Sequence, residues 1–205
     1  MIQVICTDIS RLTEADYRRL YDRASPERRA RADRCRRQEN ALCCVVPEAL
    51  LRFALGTDSF SVEKAPGGKP FFPDRPDIRF NISHSGSKVV LAIGDREVGV
   101  DVERHREKTD VSAIARRFFH PEELAYMEQS PERLRQRFYE IWTGKESYVK
   151  FLGTGLQKDL RSFSIFAPEP GLMRHYLMPE DGYSLSIFAP ETDFQLLLLD
   201  GKQLL

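Results

Sequence analysis

The order of apolar and polar positions predicts most of the elements directly. Ile2–Ile9 is an apolar-rich segment of strand length. Thr13–Arg23 has the period of a short helix. Ser25-Pro26-Glu27 supplies an N-cap, a proline at the first helical position and an acidic first turn. Gln38–Leu55 is apolar with helical period, and Pro47 inside it predicts a kink or a split. Ser59–Lys64 reads as a strand, and Ala65-Pro-Gly-Gly-Lys-Pro70 as a loop of turn formers that runs on to Pro76. Ile78–Ile82, Lys88–Ile93 and Val98–Glu103 are three β-segments separated by Ser/Gly and Gly-Asp turns. Asp110 is placed to cap a helix over Val111–Phe119, and Pro121 opens another. Ser130-Pro131 opens a long helix with Phe138, Ile141, Trp142 and Val149 as its apolar set and Gly153-Thr-Gly155 as its stop. Ser162–Phe166, Leu172–Met178, Tyr183–Phe188 and Phe194–Leu199 then read as strands of one antiparallel meander. Ser-Ile-Phe-Ala-Pro-Glu occurs at 164–169 and at 186–191, which marks two similar strand ends and not a repeat architecture.

This order of elements predicts an α+β fold in two halves, residues 1–97 and 98–205, with no linker signal between them and therefore tight packing. The chain has 205 residues, and its 41% hydrophobic content is enough for a real core. The formal net charge is zero, so nothing global points to nucleic acid or a membrane. Locally the balance is broken: residues 18–37 carry nine arginines against Asp22, Glu27 and Asp33. That run is either a solvated helix face or an edge for phosphates, which arginine binds in planar, bidentate fashion. Cys6, Cys35, Cys43 and Cys44 lack metal spacing and secretory context, so reduced thiols in a cytosolic protein are expected. MIQVICTDIS has no signal-peptide pattern, and no apolar run approaches the ~20 residues of a membrane span.

Three stretches carry candidate chemistry. In Val98-Gly-Val-Asp-Val-Glu103, strand alternation puts Asp101 and Glu103 on one face and the three valines on the other. Two carboxylates side by side repel unless a cation lies between them, and Mg2+ suits such a pair when phosphate oxygens and water complete its ligands. In the long helix Trp142, Glu146 and Lys150 fall at i, i+4 and i+8 on one stripe, with Lys145 at its edge. Glu146 is a candidate third carboxylate; the plain alternative is a surface Glu–Lys pair. Asn81-Ile-Ser-His-Ser-Gly86 ends a strand with donors, His84 and the hydroxyls of Ser83 and Ser85, suited to phosphate oxygens. Neither serine sits in a Gly-x-Ser-x-Gly elbow. Thr143-Gly-Lys-Glu-Ser147 is not a phosphate-binding Walker loop, because Glu146 replaces the Ser/Thr and Tyr139 the first glycine.

Together, Gly99-Val-Asp101-Val-Glu103 and Trp142-x-x-Lys145-Glu146-x-x-x-Lys150 resemble the paired signature of the 4′-phosphopantetheinyl transferases. Gly68-Lys69-Pro70, Asn81-x-Ser83-His84-Ser85 and Arg117-Phe118-Phe119-x-x-x-Glu123 resemble its longer, Sfp-type branch. The resemblance spans roughly residues 25–160. It implies two similar α+β halves packed as a pseudo-dimer, each a small, mostly antiparallel sheet with a long helix, sufficient as a monomer. It implies transfer of phosphopantetheine from coenzyme A, the substrate, to a serine of an apo acyl or peptidyl carrier protein, with Mg2+ as cofactor and adenosine 3′,5′-bisphosphate released. By this match Asp101, Glu103 and Glu146 are magnesium ligands, and Lys150 lies near the reacting phosphate, with Glu146 as candidate base. Lys145 sits beside Lys150; Lys69, Ser83 and His84 match coenzyme A contacts, and Arg28 and Arg31 the basic residues near its 3′-phosphate. Residues from about Arg104 to Phe119 are expected to border the carrier's docking groove. Cys43, Cys44 and Pro47 depart from the family's pattern, where an arginine, a small or hydroxyl residue and a glycine are common.

Two other classes can use the same residues. One is a Mg2+-dependent phosphodiesterase or nuclease. The other is a module that binds coenzyme A or a carrier protein without turnover.

Overall fold

A computed structural model describes residues 1–155, 158–169, 172–177, 182–190 and 194–205 of the chain. The elements run β1 (Ile2–Asp8), α1 (Glu14–Arg23), α2 (Pro26–Ala32), α3 (Gln38–Leu55), β2 (Glu63–Lys64), β3 (Pro70–Phe71), β4 (Arg79–Ser85), β5 (Lys88–Gly94) and β6 (Gly99–Arg104). There follow α4 (Val111–Phe118), α5 (Pro121–Glu128), α6 (Leu134–Leu152), β7 (Leu172–Leu177), β8 (Tyr183–Pro190) and β9 (Phe194–Asp200). Local chemistry explains the boundaries. Thr13 and Asp16 form a reciprocal capping box on α1, and Asp110 accepts from the Ala113 N–H on α4. Gly56 and Gly153 end α3 and α6 in the left-handed conformation that favours glycine.

Two sheets stack between two long helices. The first has the order β4-β5-β1-β9 and the second β6-β8-β7. Strand alternation then sorts the core into layers. Ile5, Val89, Leu91 and Ile93 face α3, while Val4, Cys6, Val90 and Ala92 face the second sheet. There they meet Val98, Val100, Val102, Leu185 and Ile187, and the far side of the second sheet packs on α6. Strands covered on both faces explain why β1 and β5 read as almost unbroken apolar runs.

Three expectations are corrected. Of the kink or split expected at Pro47, the split does not occur, since α3 is one helix across it: Val45, Val46, Pro47, Leu50 and Leu51 are all buried, and burial of that face outweighs one missing hydrogen bond. Residues 59–62 are not strand, and only Glu63–Lys64 pairs, with Pro70–Phe71. The four last segments do not form one meander. Residues 163–166 are irregular after a short 3-10 turn, and only β7 and β8 pair antiparallel. β9 leaves them and pairs parallel with β1, with Val4 opposite Leu196. The chain's end thus supplies an edge strand to the sheet built from residues before 97. Met178 and Glu191, at the ends of two expected segments, lie outside the described residues. Among the described residues no helix is long and apolar enough to cross a membrane.

Candidate active site

β4 and β6 lie at the edges where the two sheets meet, and they run side by side without exchanging backbone hydrogen bonds. Side chains do the pairing. Asn81 Oδ1 accepts from Val100 N–H at 3.1 Å, Ser83 Oγ from Val102 N–H at 3.3 Å, and Ser85 Oγ from Arg104 N–H at 3.1 Å. The edge N–H groups of β6 would otherwise be orphaned in the interior. The valines of β6 point into the inter-sheet core, so Gly99, Asp101 and Glu103 point at α6. Gly99 is what lets α6 lie so close: a Cβ there would collide with the backbone of Ser147 and Phe151.

This packing brings Glu146 and Lys150, one turn apart on α6, over the strand carboxylates. Lys150 Nζ donates to Asp101 Oδ1 at 2.6 Å and to Ser83 Oγ at 3.0 Å; Ser83 Oγ donates to the same Asp101 oxygen at 2.8 Å. Ser85 Oγ donates to Glu103 Oε2 at 2.6 Å. Asp101 is only 4% exposed, and its Oδ2 is buried with no donor. Burial first, and then the Asp101 charge, push the pKa of both Glu103 and Glu146 above the usual carboxylate range. Lys150, engaged at Asp101, does not offset this for Glu103 and Glu146. Among the described residues no three His, Cys, Asp or Glu side chains are close enough to hold an ion by themselves. A partial set of hard oxygen ligands with one unpartnered buried oxygen fits Mg2+, which keeps water and phosphate oxygens in its coordination shell.

Basic groups lead up to the acids. His84, next on β4 to Ser83, has a lowered pKa, first from lost hydration and then from the charges of Lys150 and Arg28. Arg28 and Arg31 sit on α2. That helix is fixed to α3 by Ser25 N–H donating to both carboxylate oxygens of Glu48 at 3.1 Å. The two arginines line a cavity of about 760 Å3 with Phe60, Val62, Lys64 and Pro70. It offers apolar walls for a flat group and cations for phosphate. At the departure from the family pattern, Cys43 is buried and Cys44 Sγ lies 3.8 Å from Cys35 Sγ.

Two expected ligand contacts lie elsewhere. Lys145 is fully buried on the other side of α6. Its ammonium pairs with Glu123 at 2.7 Å and donates to the Leu160 and Phe163 carbonyls, each at 2.7 Å. Helical spacing put it at the edge of the stripe, but its neighbours are α5 and residues 160–163. Lys69 turns into the seam between the sheets, donating to Glu97 Oε2 at 2.6 Å, Phe151 O at 2.8 Å and Val98 O at 3.3 Å. Ser83, expected at the ligand, is occupied by Asp101, Lys150 and Val102. The pairing role of Asn81, Ser83 and Ser85 was missed; polar residues at a two-residue spacing in an otherwise buried strand are its signal.

Residues 97–196 match the model of the 4′-phosphopantetheinyl transferase superfamily. A 4′-phosphopantetheinyl transferase of Bacillus subtilis is 33% identical, the alignment covering 89% of each chain. The 4′-phosphopantetheinyl transferase Sfp of Bacillus subtilis (strain 168) is 29% identical over the same shares. The 4′-phosphopantetheinyl transferase gsp of Aneurinibacillus migulanus is 43% identical over 48% of this chain and 40% of its own.

Proposed function

The chain belongs to the 4′-phosphopantetheinyl transferase superfamily, and from that premise we propose how its residues share the reaction. The enzyme moves 4′-phosphopantetheine from coenzyme A to a carrier protein. The serine Oγ of an apo acyl or peptidyl carrier forms a bond to the phosphorus that bears pantetheine. The bond from that phosphorus to the oxygen of the other phosphate breaks, adenosine 3′,5′-bisphosphate leaves with the electron pair, and the serine proton passes to a base.

The convergence of Asp101, Glu103, Glu146 and Lys150 carries this reading. Asp101, Glu103 and Glu146 are the residues that would hold Mg2+. When bound, the ion supplies positive charge to the pyrophosphate oxygens. Lys150 donates to a phosphate oxygen and stabilises charge as the nucleotide departs, and His84 does the same from β4. Glu146 takes the serine proton directly or through water. Arg28 and Arg31 hold the 3′-phosphate, and the cavity beside them takes the adenine. The carrier docks along α4 and the loop before it, where the exposed Arg116 and Arg117 attract acidic helices. One monomer in the cytoplasm suffices, with no nucleic acid or membrane partner.

Intact-mass spectrometry of an apo carrier incubated with the protein, coenzyme A and Mg2+ tests the reading. The expected result is a gain of one phosphopantetheine, abolished by EDTA and by Asp101→Ala in a folded protein. Transfer that survives EDTA removes the metal assignment. No transfer to any of several carriers favours a binding module.

A further inference from the structure

The contacts between β4 and β6 have a second property. Each serine of the pair binds two things on the neighbouring strand: a backbone N–H and the carboxylate next to it in sequence. Ser83 Oγ accepts from Val102 N–H and donates to Asp101; Ser85 Oγ accepts from Arg104 N–H and donates to Glu103. A hydroxyl has one proton, so accepting the N–H from one side leaves that proton to be aimed at the carboxylate. The strand register thereby fixes a side-chain torsion. Asn81 makes the same backbone contact with Val100 but touches no acid.

We propose that Ser85 is a positioning residue for divalent-cation binding. It ties Glu103 Oε2 at 2.6 Å and leaves Oε1 as the oxygen presented to the ion. Without the tie, Glu103 rotates away from Asp101, because the two like charges repel and Lys150 donates to Asp101. Ser85 is the cleaner of the two serines to test, since Ser83 also contacts Lys150. The inference rests on the Mg2+ reading above. Loss of an outer hydrogen-bond partner of a metal ligand typically weakens binding by about 10–100-fold.

The test is a Mn2+ titration followed by electron paramagnetic resonance, on protein with coenzyme A and no carrier. Wild type, Ser85→Ala, Ser85→Thr, Asn81→Ala and Asp101→Asn are compared, with thermal unfolding of each in EDTA. Ser85→Ala is expected to bind Mn2+ about 10-fold more weakly or worse, and Ser85→Thr, which keeps the hydroxyl, to bind like wild type. Asn81→Ala is expected to lower the melting temperature while binding Mn2+ normally, since it removes a seam contact that reaches no carboxylate. Wild-type affinity in Ser85→Ala overturns the inference. So does an affinity loss shared by Ser85→Ala and Asn81→Ala in proportion to their loss of stability, which is a packing effect. If wild type binds Mn2+ no better than Asp101→Asn, the metal reading itself fails and takes this inference with it.

Discussion

Replacing Lys145 with Met distinguishes a buried strut from a ligand contact. The Lys145 ammonium and the Glu123 carboxylate are both fully buried, 2.7 Å apart. Glu123 also accepts from His120 N–H and Ile165 N–H, each at 2.8 Å, so it ties α5, α6 and the segment after α6 to one point. Lys145→Met has nearly the right volume, but it strands the carboxylate and takes donors from the Leu160 and Phe163 carbonyls. Breaking a buried pair by removing one partner costs about 3–5 kcal/mol. Each newly unsatisfied carbonyl adds about 1–3 kcal/mol. Against a total stability of about 5–15 kcal/mol, that is a large share. Urea unfolding followed by the fluorescence of Trp142 is the assay. This single tryptophan stacks on Phe138 in the same core, so its signal reports on the affected region. With a slope of about 1–3 kcal/mol per molar, the midpoint falls by about 1 M or more. Lys145→Met with Glu123→Gln is expected to recover part of the loss, because no unpaired charge remains while Gln still accepts hydrogen bonds. An unchanged midpoint in Lys145→Met, with only the KM for coenzyme A raised, refutes the strut and restores the ligand contact.

Arg28→Ala and Arg31→Ala are expected to raise the KM for coenzyme A about 10-fold or more, the value of one charge-assisted hydrogen bond. kcat and the KM for 3′-dephospho-coenzyme A should change little; equal effects on both substrates would place the arginines away from the 3′-phosphate. Gly99→Ala drives a methyl into the backbone of Ser147 and Phe151, so soluble yield and melting temperature should fall together, and a wild-type melting curve would contradict the close approach of α6. Burial first, then Glu39 and the neighbouring thiols, push Cys43 up to about 12. Only ~10−4 of it is thiolate at pH 8, so iodoacetamide should label Cys35 first and Cys43 only after unfolding; peptide mapping that finds Cys43 among the early sites counts against its burial.

Sequence patterns identified the elements where local chemistry decides them. The cap at Asp110, the stop at Gly153 and the alternation in Val98–Glu103 are all local signals, and each appears in the structure. What the patterns missed depends on contacts distant in sequence. The partner of β9 is β1, some 190 residues away, and no feature of Phe194–Leu199 distinguishes an edge strand of one sheet from the next strand of another. Pro47 reads as a breaker because the burial that keeps α3 intact comes from the sheet beneath it. At the site, Asp101, Glu103, Glu146 and Lys150 were legible because strand and helix periods place them on two facing stripes. Lys145 was not, because one residue's rotation on a helix separates the site from the core, and only the position of Glu123 decides which way the ammonium points.

The site also carries a built-in cost. Glu103 and Glu146 both have folded pKa values above their ordinary range. For an acid this sign means that the fold disfavours the charged form, so each group destabilises the metal-free protein at neutral pH, and the effect fades as pH falls through the raised pKa. Asp101 Oδ2 adds a buried acceptor with no donor. Glu146→Gln removes one of the three charges and keeps the Lys150–Asp101 contact at 2.6 Å. It is therefore expected to raise the melting temperature in EDTA while reducing transfer severely. For a chain of this length each ~1 kcal/mol gained appears as about 2–4 °C. Wild type, in turn, should gain stability from Mg2+ and Glu146→Gln should gain less, because the cation relieves the repulsion that the substitution has already removed. A melting temperature in EDTA that falls in Glu146→Gln would mean that the acids are satisfied by contacts within the protein, and the argument for a cation between them would lose its physical basis.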